Sequence, residues 1–285
     1  MRNFLRKYLK RPLQILGLYG KFHHYFFLLL EQRVSLTNLF YKKFYRTAPI
    51  LLYHRITTPI QDPIMLCVSP ERFESHLIFL KKNYEVIPLR ELSKRLIDSK
   101  IKGNEAAITF DDGYQDNLSN ALPLLEKYNI PATIFITTGH IGEKANFAWD
   151  KKYSENDRAV FLNETEIKIL SNHPLIEIGA HTVNHPSLAG LEPGEQQKEI
   201  LNSKKKLEGI TGKEIKTFAY PFGGIYDFSE ATKKIVRESG FDFAYSNTGL
   251  LAIKTKNGFG IPRINIREIT PQGLARRLIC QIKNF

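Results

Sequence analysis

Two adjacent aspartates, Asp111 and Asp112, stand before Gly113, and two histidines in a His-x-x-x-His spacing, His181 and His185, follow further along the chain. Two imidazoles and one carboxylate can hold a single divalent ion and still leave coordination positions open for water and substrate, which marks a catalytic rather than a structural metal. The spacing of the histidines predicts a helical turn with both rings on one side. Successive residues of an extended chain point in opposite directions, so one aspartate can bind the metal while the other approaches the water. A metal lowers that water's pKa toward neutrality, and a carboxylate can take its proton as it attacks a carbonyl. The reaction class is hydrolysis of an amide or ester. Expelling an amine calls for a general acid on the far side, and His54 is the leading candidate. Taken singly, Asp-Asp-Gly also serves as an ordinary turn and His54 as a solvated strand-end histidine; together they propose a site. His76, His140 and His173 fall in an expected helix, a loop and a helix end, and nothing places them with the metal set.

Such groups need a scaffold. From residue 49 onward, short β-branched or apolar runs at 49–53, 84–87, 106–110, 132–136, 176–180, 217–219, 241–245 and 260–264 alternate with helix-like stretches. Those stretches cover 70–82 after the N-cap Ser69, 89–98, 117–128, 164–171, 195–208 and 229–239. This alternation predicts parallel strands with helical crossovers, an α/β fold that is either a barrel or a doubly wound sheet. Functional groups in such folds gather beyond the carboxyl ends of strands. Asp111, His181 and His54 each follow an expected strand directly. No repeat or linker divides residues 49–285, which read as one catalytic domain.

The ordered set Thr109-Phe110-Asp111-Asp112-Gly113, His181-Thr182-x-x-His185 and Phe218-Ala219-Tyr220-Pro221-Phe222-Gly223 resembles the polysaccharide deacetylases with a NodB-homology domain, carbohydrate esterase family 4. The resemblance spans roughly residues 49–270. It implies a deformed (β/α) barrel and removal of N-acetyl, less often O-acetyl, groups from sugars. It also implies one divalent ion, zinc first, with cobalt, nickel or manganese as alternatives. By motif match Asp111 is the base, Asp112, His181 and His185 are the metal ligands, and the backbone N–H of Phe222 faces the oxyanion, a donor of a kind worth about 2.7–4 kcal/mol.

Two departures stand out. Many relatives carry a Leu-x-His on a late strand, whereas here that strand reads Ile261-Pro262-Arg263-Ile264-Asn265-Ile266; Leu52-Tyr53-His54 supplies the pattern on the first strand instead. First and last strands of a barrel can be neighbours, and this permuted arrangement resembles the branch with poly-N-acetylglucosamine deacetylases. Ala219 stands where many relatives have an Arg that restrains the base, and Arg263 is the candidate replacement. Trp149-Asp150, in the segment 139–163, reads equally as groove wall or surface loop. The substrate expected is an N-acetylated glycan or lipid-linked sugar. Alternatives are another C–N hydrolase on the same fold, or a carbohydrate-binding protein with a dead site.

Charge is unevenly placed. The 285 residues carry a formal +12, but residues 1–48 hold ten Lys/Arg against Glu31 alone, a net +9. The remainder is close to balance, which argues against nucleic acid as a partner. At 42% hydrophobic residues the chain is neither collagen-like nor largely disordered, and two cysteines build no disulfide framework. The leader is rich in aromatics and divides into an apolar face (Phe4, Leu5, Tyr8, Leu9, Ile15, Leu16) and a basic one (Arg2, Arg6, Lys7, Lys10, Arg11), which suits a membrane surface. A span over 12–30 would carry Lys21 mid-bilayer at about 2.5–3.5 kcal/mol. A helical extension packed on the body is the alternative. No small-x-small cleavage site follows the apolar run, so a cleaved signal peptide is not expected. The expected location is cytoplasmic or peripheral to the membrane.

Overall fold

Every residue of Ile50–Tyr53, Glu105–Phe110 and Ala132–Ile136 is buried. Burial on both faces is what parallel strands covered by helices require, and it explains why these runs are almost continuously apolar. The computed structural model describes residues 47–144, 147, 149–154, 157–250, 252–253 and 257–280. The basic leader of residues 1–48 lies outside the described residues except for its last two positions. The described residues belong to one compact unit, Tyr45–Phe285.

The nine strands of the main sheet are β1 (Ile50–Tyr53), β2 (Glu85–Val86), β3 (Glu105–Phe110), β4 (Ala132–Ile136), β5 (Ile176–Ala180), β6 (Thr217–Ala219), β7 (Phe243–Ser246), β8 (Phe259–Pro262) and β9 (Ile264–Asn265). All pairings are parallel, in the order β8-β7-β6-β5-β4-β3-β1-β9, with β2 beside β3. The single strand expected over 260–264 is broken at Arg263. Before the break it pairs with β7; after it, Ile264 lies opposite Leu51 and Asn265 opposite Leu52 of β1. The last strand thus joins the two edges of the sheet and closes a deformed (β/α) barrel, which puts the first and last strands side by side.

Helices α1 (Pro70–Asn83), α2 (Leu89–Ile97), α3 (Leu122–Tyr128), α4 (Glu164–Asn172), α5 (Pro193–Thr211), α6 (Glu230–Glu238) and α7 (Pro271–Cys280) accompany the barrel. Their starts follow local chemistry: Ser69 accepts from Arg72 N, and Asn163 and Glu166 form a reciprocal capping box. The stretch expected as one helix over 117–128 opens with a π-helical turn, Asn117–Ala121, directly after the Asp111 loop. Helix α7 was not expected, because Gly273 in its first turn weakens the local signal; Thr270 Oγ1 accepts from Gly273 N and starts it. No helix among the described residues is long and apolar enough to cross a membrane.

Candidate active site

Strand β3 ends at Phe110 and the chain turns at once. Asp112 adopts φ 72° and Gly113 φ 84°, both left-handed. Aspartate is one of the few side chains that tolerates this conformation, and a Cβ on Gly113 would lie 3.2 Å from Ile136 Cγ2. The expectation of an extended Asp-Asp pair with diverging side chains is therefore corrected: the turn brings both buried carboxylates to one cleft.

The histidine segment also differs from expectation. Residues 181–185 are not helical; Thr182 and His185 adopt φ 66° and 57°. Such residues cost about 1–3 kcal/mol each and persist only where surroundings over-determine them. Here Thr182 Oγ1 accepts from His185 N at 3.0 Å, and Glu199 on α5 accepts from Val183 N at 2.9 Å, Asn184 N at 2.8 Å and Asn184 Nδ2 at 2.6 Å. His181 Nδ1 donates to Ala219 O at 2.8 Å, which leaves Nε2 as a lone-pair donor facing the cleft. The two rings sit 4.8 Å apart at 74°.

Asp112 Oδ1 lies 3.6 Å from His181 Nε2 and 3.4 Å from His185 Nε2. Ligands about 2.0–2.1 Å from one tetrahedral ion stand roughly 3.4 Å from each other, so the set fits a divalent cation. The donor chemistry agrees. Asp112 Oδ1 is buried without a hydrogen-bond partner, and burial, then the charges of Asp111 and Asp150, push its carboxyl well above the usual range. Burial also holds His181 and His185 below the ordinary imidazole value, so both are neutral and able to ligate. A cation among these atoms would supply the missing partner and the missing charge.

Asp111 stands beside this set, with Oδ2 3.8 Å from His181 Nε2. Arg263, fully buried, grips it through Nη1–Oδ1 at 2.6 Å and Nη2–Oδ2 at 2.7 Å, and also donates to Thr109 Oγ1 at 3.3 Å and Ser246 O at 3.2 Å. Burial would raise the Asp111 carboxyl, but Arg263 and His181 outweigh it and hold it below its ordinary value. Arg263 thus occupies the place beside Asp111 that Ala219 cannot fill.

His54 follows β1 and lines the same open cleft, of about 240 Å³, with Ile64, Leu66, Trp149, Phe222, Asn247 and Asn265. Burial pulls its imidazole down to about 4, against the charge of Asp111. Its backbone is pinned on both sides: Asn117 Nδ2 donates to His54 O at 2.8 Å, and Arg55 pairs with Asp116 at 3.1 Å while Asp116 accepts from Ile56 N at 2.9 Å. Phe222 is 48% exposed at φ 59°, and its amide makes no hydrogen bond among the described residues. Trp149 is groove wall, edge-on to His185 at 5.2 Å and to Phe222 at 5.8 Å, whereas Asp150 is buried and accepts from Phe147 N.

Sequence reasoning missed Glu199, Asp116, Asn117, Asn247 and Asn265, which sit in no motif; their roles arise from contacts made across the fold. The remaining described histidines stay outside the site. His76 bonds Tyr53 Oη and Ile269 O, His173 pairs with Glu126, and His140 packs on Phe147 and Phe161.

Comparison with known proteins agrees with this geometry. A family model described as polysaccharide deacetylase matches residues 98–244. The chain is 30% identical over 220 residues to the YxkH protein of Bacillus subtilis strain 168, assigned to the polysaccharide deacetylases, covering 76% of this chain and 71% of that one. It is 28% identical over 219 residues to a poly-beta-1,6-N-acetyl-D-glucosamine N-deacetylase of Staphylococcus aureus strain MSSA476, covering 74% and 71%. Among solved structures, Streptococcus pyogenes deacetylase PplD in complex with acetate shares the fold at TM-score 0.67 and 24% identity, covering 81% of this chain and 98% of that chain. IcaB from Ammonifex degensii does so at 0.66 and 22%, covering 83% and 97%. With the match spanning the Asp-Asp turn, both histidines and the barrel strands between them, the chain belongs to the polysaccharide deacetylase family.

Proposed function

We propose that this chain is a metal-dependent hydrolase that removes N-acetyl groups from the amino sugars of a glycan or lipid-linked saccharide, with zinc as its metal. The observation that carries this reading is the convergence of Asp112 Oδ1, His181 Nε2 and His185 Nε2 beside an Arg263-held Asp111 at an open cleft. Three amino-acid ligands leave room for water and substrate.

A divalent ion held by Asp112, His181 and His185 supplies the Lewis acidity that makes water nucleophilic near neutral pH. Asp111, kept ionised by Arg263, accepts the proton of the attacking water. The Phe222 amide donates to the oxyanion as the carbonyl becomes tetrahedral. His54 delivers a proton to the departing nitrogen. With its imidazole pulled down to about 4 it rests neutral near pH 7, so that proton is gained during turnover, supplied by the one Asp111 takes from water.

The Staphylococcus aureus relative makes poly-β-1,6-N-acetylglucosamine the first polymer to try. The net +9 of residues 1–48 supports a peripheral position on an anionic membrane, within reach of lipid-linked sugars. Acetate release from that polymer and from chito-oligosaccharides by the zinc-loaded protein tests the activity. Zinc binding with no acetate from any N-acetylated saccharide would redirect the site to another C–N bond or to sugar binding alone.

A further inference from the structure

The last strand carries a second inward-facing polar residue to which the reading above gives no task. Asn265 lies in β9 and lines the cleft, two positions after Arg263, which reaches inward from the break to Asp111; within a strand side chains alternate between faces. Asn265 is paired with Leu52, and Ile266 N donates to Leu52 O at 2.8 Å. By the same alternation Leu52 and His54 share the inner face, while Tyr53 turns outward to Phe73 and His76. His54, just past the end of β1, and Asn265, paired with Leu52, are therefore diagonal neighbours across the parallel β1–β9 pair. Both line the cleft.

Each also holds a buried atom with no hydrogen-bond partner among the described residues: Nδ1 of His54 and Oδ1 of Asn265. Buried polar atoms are rarely left unpaired, and these two are complementary, a ring N–H and a carboxamide oxygen. The other acidic group felt at His54 from its own side of the cleft, Asp62, is already engaged by Leu66 N, Cys67 N and Tyr153 Oη. Asn117 holds the His54 carbonyl and not its ring.

We propose that Asn265 is the positioning residue of His54: the two atoms do not bond each other in this structure, and a change of side-chain rotamer as substrate enters lets Oδ1 accept from His54 Nδ1–H and turns Nε2 toward the departing nitrogen. This rests on the reading of His54 as the acid. The proton balance then closes. Nδ1–H stays in place throughout; Nε2 gains the proton that Asp111 removed from water and gives it to the nitrogen as the C–N bond breaks. A neutral carboxamide fixes the tautomer without a negative charge that would retain the proton on the ring. One strand would thereby orient both proton-transfer groups, Arg263 the base and Asn265 the acid.

Nitrogen NMR of the histidine-labelled, zinc-loaded protein reads the tautomer without turnover. The expected spectrum shows His54 neutral and protonated at Nδ1, a mixture of tautomers in Asn265→Ala, the Nδ1 proton restored in Asn265→Asp with the ring titrating at higher pH than in wild type, and no change in Asp62→Asn. In kinetics, Asn265→Ala should slow acetate release from an N-acetylated oligosaccharide about tenfold or more while changing 4-nitrophenyl acetate hydrolysis less than about threefold, since that leaving group needs little protonation. Bound zinc should match wild type. Protonation of His54 at Nε2 in the wild type, a tautomer indifferent to Asn265→Ala, or a tautomer set by Asp62 would overturn the assignment. If wild-type protein released no acetate, the functional reading would fall, while the spectrum would still decide whether Asn265 orients His54.

Discussion

Arg263 and Asp111 stand 152 positions apart in the chain and meet through two parallel hydrogen bonds of 2.6 and 2.7 Å, both side chains buried. Arg263 also occupies the break between β8 and β9, where the last strand passes from one edge of the sheet to the other. The closure of the barrel and the state of the base are therefore tied to one guanidinium. Removing one member of a buried pair strands the other charge, at about 3–5 kcal/mol. Arg263→Met should lose stability of that order in urea unfolding and nearly all deacetylation. Adding Asp111→Asn should recover part of the stability and none of the activity. Wild-type stability in Arg263→Met would show that the pair contributes nothing to the fold.

The metal set and the base should separate in their responses. His181→Ala, His185→Ala and Asp112→Ala should each lower zinc content sharply, because a three-ligand site tolerates little loss. Asp111→Asn should bind zinc as wild type does and lose turnover. Metal analysis beside acetate release decides this, and equal zinc loss in Asp111→Asn would reverse the assignment of the two carboxylates.

Glu199 touches no ligand atom, yet it accepts the two amides between the metal histidines and one side-chain amide of the same loop. Loss of such a support typically costs 10–100-fold in metal affinity. Glu199→Ala should weaken zinc binding by roughly that factor with the global fold intact, and Glu199→Gln by less, since it keeps one acceptor oxygen. Competition with a zinc chelator measures it. Unchanged affinity would mean that Thr182 alone holds the left-handed turns.

Far from the chemistry, Glu177 near the start of β5 has its carboxyl raised by burial to about 7, against the charge of Arg90. Its folded pKa exceeds the unfolded value of about 4.3, so the folded state binds the extra proton between those values, and stability falls as pH rises through that window. Glu177→Gln removes the titration. Its unfolding free energy relative to wild type, read from urea unfolding, should increase between pH 5 and 8 by an amount on the order of 1–3 kcal/mol. A difference that does not vary with pH would show that Glu177 is ionised at little cost.

Each Lys or Arg near an anionic surface contributes about 1 kcal/mol, screened over roughly 8–10 Å at physiological salt. Full-length protein should sediment with anionic liposomes at low salt and release as salt rises, while a chain starting at Ala48 should remain in the supernatant and still bind zinc. Indifference of the full-length protein to liposomes would leave residues 1–48 without a membrane role.

By itself the sequence determined the alternation of strands and helices, the position of Asp111, His181 and His54 at strand ends, and the residue types of the ligand set. These are local properties: runs of β-branched residues, caps such as Ser69 and Asn163, and short motifs carry their signal within a few neighbours. Only the tertiary structure decided how those residues face one another. The turn at Asp112 and the loop from His181 to His185 depart from the extended and helical geometries that spacing alone suggests. Their positive φ values are held by Ile136 packing, Thr182 and a glutamate from a later helix, none of which periodicity encodes. Whether Arg263 or some other cation would meet Asp111, and whether a histidine after the first strand could serve beside the last, depended on closure. Pairing of Ile264 with Leu51 joins two stretches more than 200 residues apart, and a register of that kind is set by side-chain packing summed over the whole barrel, not by any segment of it.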